Sequence, residues 1–297
     1  MASLLAGCAG KNESPVNVEE VHVMIPGMDG EVKLAYLSDL HIATISEEVA
    51  EPDAVNERIG WTTTDGVTSA DRWPMWVDTL NKTGADRVLF GADMLDFNSA
   101  SNIDVFEKDL ARLEIPYIYI RADHDLMPFY LGDADAGKYL ELQKQICDYE
   151  DVFVEEFPDF AIVGWNNSTS QLTTGGMEKI RQAASLGKPL ILLTHVPIAP
   201  LHDDSLAEAS RKLYKRDLIW SRQGTENVPD GTPDGEASAQ LLEMIYADDT
   251  PFVEILCGHL HTSWDGYVTE HVHEHVFSAA YAGNMGMVTV SGRSKEQ

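Results

Sequence analysis

The sequence predicts an α/β fold with a buried sheet. From Val32 onward, short apolar runs alternate with longer stretches of helical pattern. Most of the short runs are apolar throughout, which is typical of strands covered on both faces. Hydrophobic residues make up 44% of the chain and charged residues 24%, as expected of a globular protein. These observations together favour a mainly parallel sheet packed between helices.

The apolar runs predict the strands, and the stretches between them predict the helices. The strands are expected at Val32–Leu37, Arg87–Phe90, Pro116–Ile120, Val152–Val154, Phe160–Val163, Leu190–Leu193 and Phe252–Leu256, with several more before Val290. The helices are expected at Ile103–Leu113, Gly132–Tyr149, Met177–Leu186, Leu206–Trp220 and Ala237–Tyr246. A loop rich in Thr, Gly and Trp is expected after the first strand, and another loop, rich in Gly, Pro and Asp, at 224–235.

The two ends of the chain differ in character. Residues 1–20 are predicted to be a leader or linker, and residues 21–297 a single domain. The segment Leu5-Ala6-Gly7-Cys8 resembles a bacterial lipobox, although only seven residues precede Cys8 and none of them is basic. The pattern predicts a protein of the bacterial cell envelope, lipid-anchored at Cys8 and facing outside; if the match is chance, a cytoplasmic location is expected.

The charge excludes one large class of function. Lys and Arg number 21 against 49 Asp and Glu, which gives a formal net charge of −28. A nucleic-acid backbone is bound mainly through Lys and Arg, so a broad nucleic-acid surface is not expected. An anionic substrate needs a local positive charge, which bound metal ions can supply. No stretch approaches the roughly 20 apolar residues that span a bilayer, so membrane contact is expected only through the N-terminal lipid.

Polar clusters follow five of the predicted strands. They contain Asp39 and His41, Asp93 and Asp96, Asp123 to Asp125, His195, and His259 and His261. Residues two apart in extended chain point the same way, so each D-x-H or H-x-H pair can reach one site. Ligand sites of α/β sheets lie at the carboxyl ends of strands. Mixed carboxylate and imidazole ligands suit transition metals such as Mn, Fe or Zn, and the clusters hold more such side chains than one ion needs, which suits two ions.

The five clusters in this order resemble the motifs of the calcineurin-like metallophosphoesterases. That family has the pattern D-x-H, G-D-x-x-D, G-N-H-D/E, a lone His and G-H-x-H, and the resemblance runs from about Val32 to Val290. It implies a four-layer αββα sandwich, with two mixed sheets flanked by helices, and a dinuclear metal centre. Position by position it implies these metal ligands: Asp39, His41 and His261 for one ion, Asp123, His195 and His259 for the other, and Asp93 for both.

Two further residues take roles from the resemblance. His124 is implied to contact the substrate, and Asp125 to orient His124. The sequence departs from the motif at Ala92, where the family often has Gly, and at Asp123, where the family has Asn. As a ligand, Asp123 would raise the number of carboxylate ligands to three. Their negative charges and that of a bridging hydroxide would together cancel the positive charge of two divalent ions. We therefore expect either unusually tight metal binding or an Fe(III)-containing pair.

The function that follows is metal-dependent hydrolysis of a small phosphoester by a metal-bridging hydroxide. The substrate could be a monoester or a diester, and the sequence does not predict an oligomeric state. The alternative is a non-catalytic metal-binding scaffold on the same fold. The chain has three cysteines, Cys8, Cys147 and Cys257, and these provide no disulfide framework.

Several residues leave more than one interpretation open. Trp61, Trp73 and Trp76 either wall a pocket for an aromatic or nucleotide group or pack their own loop, and packing is favoured. Asn166 and Asn167 either approach the site or lie in a surface loop, which is favoured. The alternating His271, His273 and His275 are read as a strand or turn with exposed His, in preference to a second metal site.

Overall fold

The computed structural model describes residues 16–147, 151–168, 172–221 and 236–292. Cys8 with its lipobox, and the loop predicted at 224–235, lie outside the described residues. Among the residues that are described, no helix has both the length and the apolar character needed to cross a bilayer.

The described strands form two mixed sheets. In chain order they are β1 (Asn17–Met24), β2 (Glu31–Leu37), β3 (Arg87–Gly91), β4 (Tyr117–Ile120), β5 (Val152–Glu156), β6 (Ala161–Trp165), β7 (Leu190–Thr194), β8 (Phe252–Cys257), β9 (Trp264–Tyr267), β10 (His273–Val276) and β11 (Asn284–Ser291). The first sheet has the order β1-β11-β2-β3-β4, and the second β5-β6-β7-β8-β10-β9. Among the described strands, antiparallel pairing occurs only at β11/β2, β5/β6 and β10/β9, so the central strands of both sheets are largely parallel.

Helices cover the outer faces of both sheets. They are α1 (Pro52–Thr62), α2 (Ser69–Leu80), α3 (Ala100–Leu110), α4 (Asp123–Leu126), α5 (Ala136–Gln143), α6 (Thr174–Ala184), α7 (Ser205–Tyr214) and α8 (Glu236–Tyr246). Residues of α1, α2, α3 and α5 pack with the first sheet, and residues of α6 and α8 with the second. The predicted α/β fold of two mixed sheets flanked by helices is confirmed.

The inner faces of the two sheets share one apolar core. Leu34 and Leu89 of the first sheet are fully buried in the same cluster as Ile162 and Ile191 of the second. Because each central strand also faces helices on its other side, its apolar residues run without interruption. This double burial is the physical reason that the strands were recognisable in the sequence.

The prediction of a loop after the first strand is wrong, because that region contains the two helices α1 and α2. In α2, Trp73, Trp76, Val77 and Leu80 are all buried. Their spacing of three and four residues places them on one helix face, and Thr68 caps the helix by accepting a hydrogen bond from the backbone N–H of Asp71. The insertion is therefore an ordered part of the outer layer.

Several predicted boundaries also move. The helix predicted at Leu206–Trp220 ends at Tyr214, because Lys215 has a φ of 65° and closes the helix in the left-handed conformation. Within the described part of the helix predicted at Gly132–Tyr149, the helix is α5, which begins after the Asp135 cap and ends at Gln143; the predicted end at Tyr149 lies outside the described residues. Strand β1 begins at Asn17, inside the segment predicted as leader or linker through residue 20, and pairs with β11 in parallel.

Candidate metal centre

Loops from both sheets meet at one edge of the sandwich. Strand β3 runs parallel to β2 and β4 in the first sheet, and β7 runs parallel to β8 in the second. Parallel strands end on the same side, so the loops that follow them are neighbours. The residues predicted for the site follow these strands: Asp39, His41, Asp93, Asp123, His124, Asp125, His195, His259 and His261.

Hydrogen bonds join the two sheets directly at this edge. The backbone N–H of His259 donates to the carboxylate of Asp39 at 3.2 Å. The ring nitrogen Nδ1 of His195 donates to the carbonyl oxygen of Gly91 at 2.8 Å. A side chain at Gly258 would collide with the Asp39 carboxylate and with Ser38. The glycine of the G-H-x-H motif is therefore needed for close approach of the two loops.

The side chains converge into three overlapping groups. The groups are Asp39, His41 and His261; His41, Asp93 and His124; and Asp93, His195 and His259. In each group the possible ligand atoms all lie within 4.8 Å of one another. His41 and Asp93 each belong to two groups, so the groups form one continuous cluster. Its mixture of carboxylate and imidazole donors is the kind that transition metals prefer.

Three atoms of this cluster are buried without a hydrogen-bond partner among the described residues. They are Oδ1 of Asp93, Nε2 of His259 and Nδ1 of His261. Leaving a polar atom buried and unpaired costs about 1–3 kcal/mol each, more for a charged group. Natural proteins rarely accept this cost without a reason such as a bound ion. The unpaired atoms therefore agree with the bound transition metal that the carboxylate and imidazole donors suggest.

The loops that carry these residues are strained. Of the described non-glycine residues, nine have a positive φ, and six of them lie in these loops: Asp39, His41, Ala92, Asp93, His259 and His261. The left-handed conformation is unfavourable for residues with a side chain, at about 1–3 kcal/mol each, and it concentrates at functional sites. Ala92, with a φ of 75°, occupies the position where the family often has Gly, so this departure keeps the backbone conformation at some cost.

The carboxylates of the cluster are held in the charged form. Burial by itself raises the pKa of Asp39, but the hydrogen bond from His261, 3.2 Å away, and the charge of His195 lower it to about 2. For Asp93, the charges of His195 and His124 outweigh burial and hold the pKa well below its usual range. Both residues can therefore serve as anionic ligands at neutral pH.

The histidines of the cluster differ in charge. Burial lowers the pKa of His195, but the Asp93 carboxylate, 3.0 Å away, and Asp39 together raise it to about 10. Burial and the neighbouring His195 charge lower the pKa of His259 to about 3. His259 is thus a neutral imidazole ready to act as a ligand, whereas a cation must displace a proton from His195.

Asp96 orients two of the histidines. Nδ1 of His41 donates to Oδ1 of Asp96 at 3.1 Å, and Nδ1 of His124 donates to the Asp96 backbone carbonyl at 2.6 Å. Arg58 of α1 forks onto the same carboxylate through Nε at 3.1 Å and Nη2 at 2.6 Å. A carboxylate behind a ligating histidine fixes the ring and its tautomer. Arg58 has no role in the sequence-based prediction, because nothing in its own segment indicates that α1 reaches the site.

The role expected for Asp125 needs correction. Its carboxylate accepts backbone N–H groups of Asp93 at 2.7 Å and Met94 at 3.1 Å, together with the hydroxyl of Tyr119 at 2.6 Å. It makes no hydrogen bond to His124, which Asp96 holds instead. Asp125 is the third residue of the one-turn helix α4, and this helix directs its carboxylate toward the loop after β3. It therefore shapes the loop that carries Asp93, and burial with the nearby Asp93 charge raises its pKa to about 6.

Asp123 is the one predicted ligand that joins none of the three groups. Its backbone N–H donates to Oγ of Ser168 at 2.7 Å. Burial and the charge of Asp93 raise the pKa of its carboxyl above the usual value. Asp93 already supplies the negative charge at this point, and two adjacent carboxylates repel each other. His124, the next residue, takes a place in a group with His41 and Asp93.

Asn166 and Asn167 are buried, so the surface loop favoured from the sequence is wrong. Oδ1 of Asn167 accepts the backbone N–H groups of His195 at 3.1 Å and Val196 at 2.9 Å. Oδ1 of Asn166 accepts the backbone N–H of Arg121 at 2.7 Å. Each amide replaces hydrogen bonds that a strand would otherwise supply, and Asn167 fixes the backbone that carries His195.

The three tryptophans of the insertion divide between the two interpretations. Trp73 and Trp76 are 0% and 2% exposed and pack into the core of the outer layer, as favoured from the sequence. Trp61 is 42% exposed, and its ring centroid lies 5.2 Å from that of His261 and 5.6 Å from that of His41. It therefore belongs to the rim of the site.

Comparison with known sequences assigns a family. The sequence model of the calcineurin-like phosphoesterases matches residues 32–263, which covers every residue of the three groups. No curated protein sequence matches the chain.

Solved structures share the fold at low sequence identity. A dimetal phosphatase from Danio rerio is similar over 84% of this chain and 88% of its own, with a TM-score of 0.53 and 11% identity. A purple acid phosphatase from yellow lupin seeds is similar over 87% of this chain and 45% of its own, with a TM-score of 0.48 and 12% identity. The first of these similarities supports the layered architecture described above.

Proposed function

The chain belongs to the calcineurin-like phosphoesterase family of metal-dependent hydrolases, and from this premise we propose that it hydrolyses a small phosphoester at the cluster of Asp and His side chains between its two sheets. One observation carries the proposal. Asp93, His259 and His261 each have one buried side-chain polar atom without a hydrogen-bond partner among the described residues, and all three residues belong to groups able to hold a cation. A structural cluster of this size would be expected to pair its own polar atoms.

The ligand groups suggest how two ions would be shared. We propose that Asp39, His41 and His261 hold one ion and that Asp93, His195 and His259 hold the other. When bound, two such ions lower the pKa of a coordinated water to supply hydroxide and neutralise charge on the phosphate. Family membership supports two metal ions in general terms, and the assignment of individual ligands is part of this proposal.

We propose that His124 transfers a proton. Its Nδ1 is committed to the Asp96 carbonyl oxygen at 2.6 Å, so Nε2 is the nitrogen left to donate to a leaving-group oxygen. Burial alone lowers the pKa of His124, but the charges of Asp93, Asp123 and Asp96 outweigh it and raise the pKa above its usual value. A protonated His124 can give its proton to the departing oxygen, which is general acid catalysis.

The identity of the metals is a separate proposal. The donor set favours Mn, Fe or Zn over Mg or Ca. The Fe(III)-containing pair expected from the sequence depended on Asp123 as a third carboxylate ligand, and Asp123 lies outside the three groups. We therefore propose a divalent pair. Metal analysis of protein purified without added metal, compared with Asp123→Asn, tests this: ferric iron retained by the wild type and lost by the variant would restore the original expectation.

Hydrolysis of a small panel tests the proposed activity. The substrates are an aryl phosphate monoester and a bis-aryl phosphate diester, each given to the chain loaded with Mn. We expect turnover of at least one, and the ratio between them assigns monoesterase or diesterase chemistry. Asp93→Asn is the inactive control. Two bound ions with no turnover of either substrate would favour the alternative of a metal-binding scaffold.

Envelope attachment is proposed on the lipobox pattern alone. A lipid on Cys8 would hold the enzyme at a bacterial membrane with its site facing outside. Expression of the full chain with and without Cys8→Ser, followed by membrane fractionation, tests this. Equal release of both forms into the soluble fraction would contradict it.

A further inference from the structure

An aromatic wall stands at one side of the metal centre. It consists of Trp61 at the end of α1, Tyr281 before β11 and Tyr214 at the end of α7. The ring of Trp61 lies 4.9 Å from that of Tyr281. The ring of His261 lies 5.2 Å from Trp61, 5.4 Å from Tyr281 and 6.4 Å from Tyr214. A proposed metal ligand is thus bordered by three aromatic rings from separate parts of the chain.

The wall is held in place by polar contacts. The guanidinium of Arg58 lies 4.3 Å from the centroid of the Trp61 ring while it forks onto Asp96. The backbone N–H of Tyr281 donates to the Asp39 carbonyl oxygen at 3.2 Å. The hydroxyl of Tyr214 donates to the carbonyl oxygen of Leu260 at 2.9 Å. Because these anchors also contact the site loops, the wall is fixed relative to the metal centre before any substrate arrives.

Core packing does not account for Trp61. Trp73 and Trp76 are almost fully buried, and their indole N–H groups donate to the backbone carbonyls of Phe106 and Ala280. Trp61, by contrast, is 42% exposed. A large aromatic surface left open beside a polar cluster is typical of a ligand site.

On the basis of the proposed function, we propose that the aromatic wall binds a planar aromatic part of the phosphoester substrate. Stacking on a fixed ring orients a flat group with little loss of side-chain freedom. The phosphoryl group would lie at the metal centre and the ring against Trp61, so the wall would select aromatic over aliphatic esters. A phenol-type ring and a nucleobase share this chemistry, and the experiment separates them.

The experiment compares kcat/KM for phenyl phosphate, a nucleoside monophosphate and ethyl phosphate, using the full chain loaded with Mn. If the wild type hydrolyses only a diester, the matching methyl diesters replace these. For Trp61→Ala we expect kcat/KM to fall about 10-fold more for the aromatic esters than for ethyl phosphate. Dividing the fall in kcat/KM for each aromatic ester by the fall for ethyl phosphate corrects for any general damage to the site. The larger of the two aromatic losses identifies the preferred ring.

Two variants separate stacking from structural support. Trp61→Phe keeps a ring and should recover most of the aromatic preference. Tyr267→Ala removes another exposed aromatic side chain, 62% exposed on β9, and should leave the preference unchanged. Equal losses on aromatic and ethyl esters in Trp61→Ala would overturn the proposal, because they would show that Trp61 acts only by supporting Arg58.

A binding measurement distinguishes failure of this inference from failure of the proposed function. Calorimetric titration of the Mn-loaded chain with phenylphosphonate and with methylphosphonate needs no turnover. Tighter binding of phenylphosphonate, reduced about 10-fold by Trp61→Ala, supports the wall even in a chain that hydrolyses nothing. Equal affinity for the two phosphonates in a chain that does hydrolyse phosphoesters overturns the wall and leaves the proposed function standing.

Discussion

Histidines and carboxylates cluster in two places among the described residues, and one of these two clusters has the features of a metal site. The second cluster, here called the β10 edge, consists of His273 and His275 with Glu254, Asp265 and Glu19. His273 pairs through Nδ1 with Glu254 and through Nε2 with Asp265, both at 2.8 Å. Nε2 of His275 lies 3.2 Å from Oε2 of Glu19. None of these residues joins a ligand group.

The difference lies in pairing and backbone strain. At the β10 edge both histidines pair with carboxylates, His273 with two of them and His275 with one, and none of the five residues has a positive φ. At the metal centre three buried polar atoms lack partners among the described residues, and the loops carry six left-handed residues. The same residue types therefore form an ion-pair network in one place and, in the other, a set of ligand groups that combines ion pairs with unpaired buried atoms. Residue type alone does not distinguish them.

The largest difference between the two clusters is expected when one carboxylate is removed from each of them. Asp93→Asn should lose most bound metal and reduce kcat/KM at least about 10³-fold, because Asp93 is shared by two ligand groups. Asp265→Asn, the matched change at the β10 edge, should keep both. Elemental analysis and an aryl phosphate assay check the pair. Equal metal loss in the two variants would make the clusters equivalent.

The next largest effect is expected at His124. His124→Ala should keep the metals and lose turnover by about 10²–10⁴-fold, because the change removes the proposed proton donor. His271→Ala, at an exposed histidine beside the β10 edge, should leave turnover unchanged. Metal content and kcat are the readouts. Loss of metal would instead make His124 a ligand in its group with His41 and Asp93, and full activity would remove it from the mechanism.

Metal removal should destabilise the fold through the metal centre alone. At a free Mn concentration about 100-fold above the dissociation constant, binding adds about 2.7 kcal/mol to the free energy of unfolding. Unfolding by urea with Mn and with a chelator measures this difference, which should disappear in Asp93→Asn and persist in His273→Gln. A chelator effect of the same size in Asp93→Asn would place the stabilising ion elsewhere.

The smallest effect is a pH-dependent one at the β10 edge. Burial lowers the pKa of His273, but Glu254 and Asp265 outweigh it and raise the pKa to about 9. Because this exceeds the ordinary value of about 6.5, the charged ring stabilises the fold fully below about pH 6.5, and the contribution is lost as pH rises through about 9. His273→Gln should lower the free energy of unfolding by about 1–2 kcal/mol at about pH 6, after allowance for partial exposure.

The control for this variant is His271→Gln, at an exposed residue whose one hydrogen bond to the described part of the chain is donated by its backbone N–H. Urea unfolding of both variants at about pH 6 and about pH 10 gives the comparison. The His273→Gln deficit should shrink at the higher pH, while His271→Gln should follow the wild type throughout. A deficit independent of pH would assign His273 a packing role instead of an ionic one.

The predictions from sequence were most accurate where burial and chemistry act locally. The strands at Leu190–Leu193 and Phe252–Leu256 were predicted because both faces of each are covered, which leaves an uninterrupted apolar run. The insertion helix α2 was missed although Trp73 and Trp76 sit on one face, because its Pro and β-branched residues weaken the helical pattern. The pattern did not reveal that Trp61 of α1, unlike Trp73 and Trp76, would remain exposed.

Contacts between distant segments were the least predictable feature of the site. Arg58 supports the Asp96 carboxylate across 38 positions of sequence, and Asn167 holds the His195 backbone across 28. Neither belongs to a motif, so their own neighbours gave no signal. The same limit explains Asp125, whose turn aims it at the loop after β3 and away from His124.

The sequence by itself determined the layered fold and the identity of the side chains available to a metal, since both depend on local apolar runs and on residue type. Only the tertiary structure decided which histidines join the ligand groups and which are paired with carboxylates at the β10 edge. It also decided that Asp123 stands outside the ligand groups and that Trp61 borders them. These outcomes depend on distances between loops of two sheets, which packing of the whole sandwich sets.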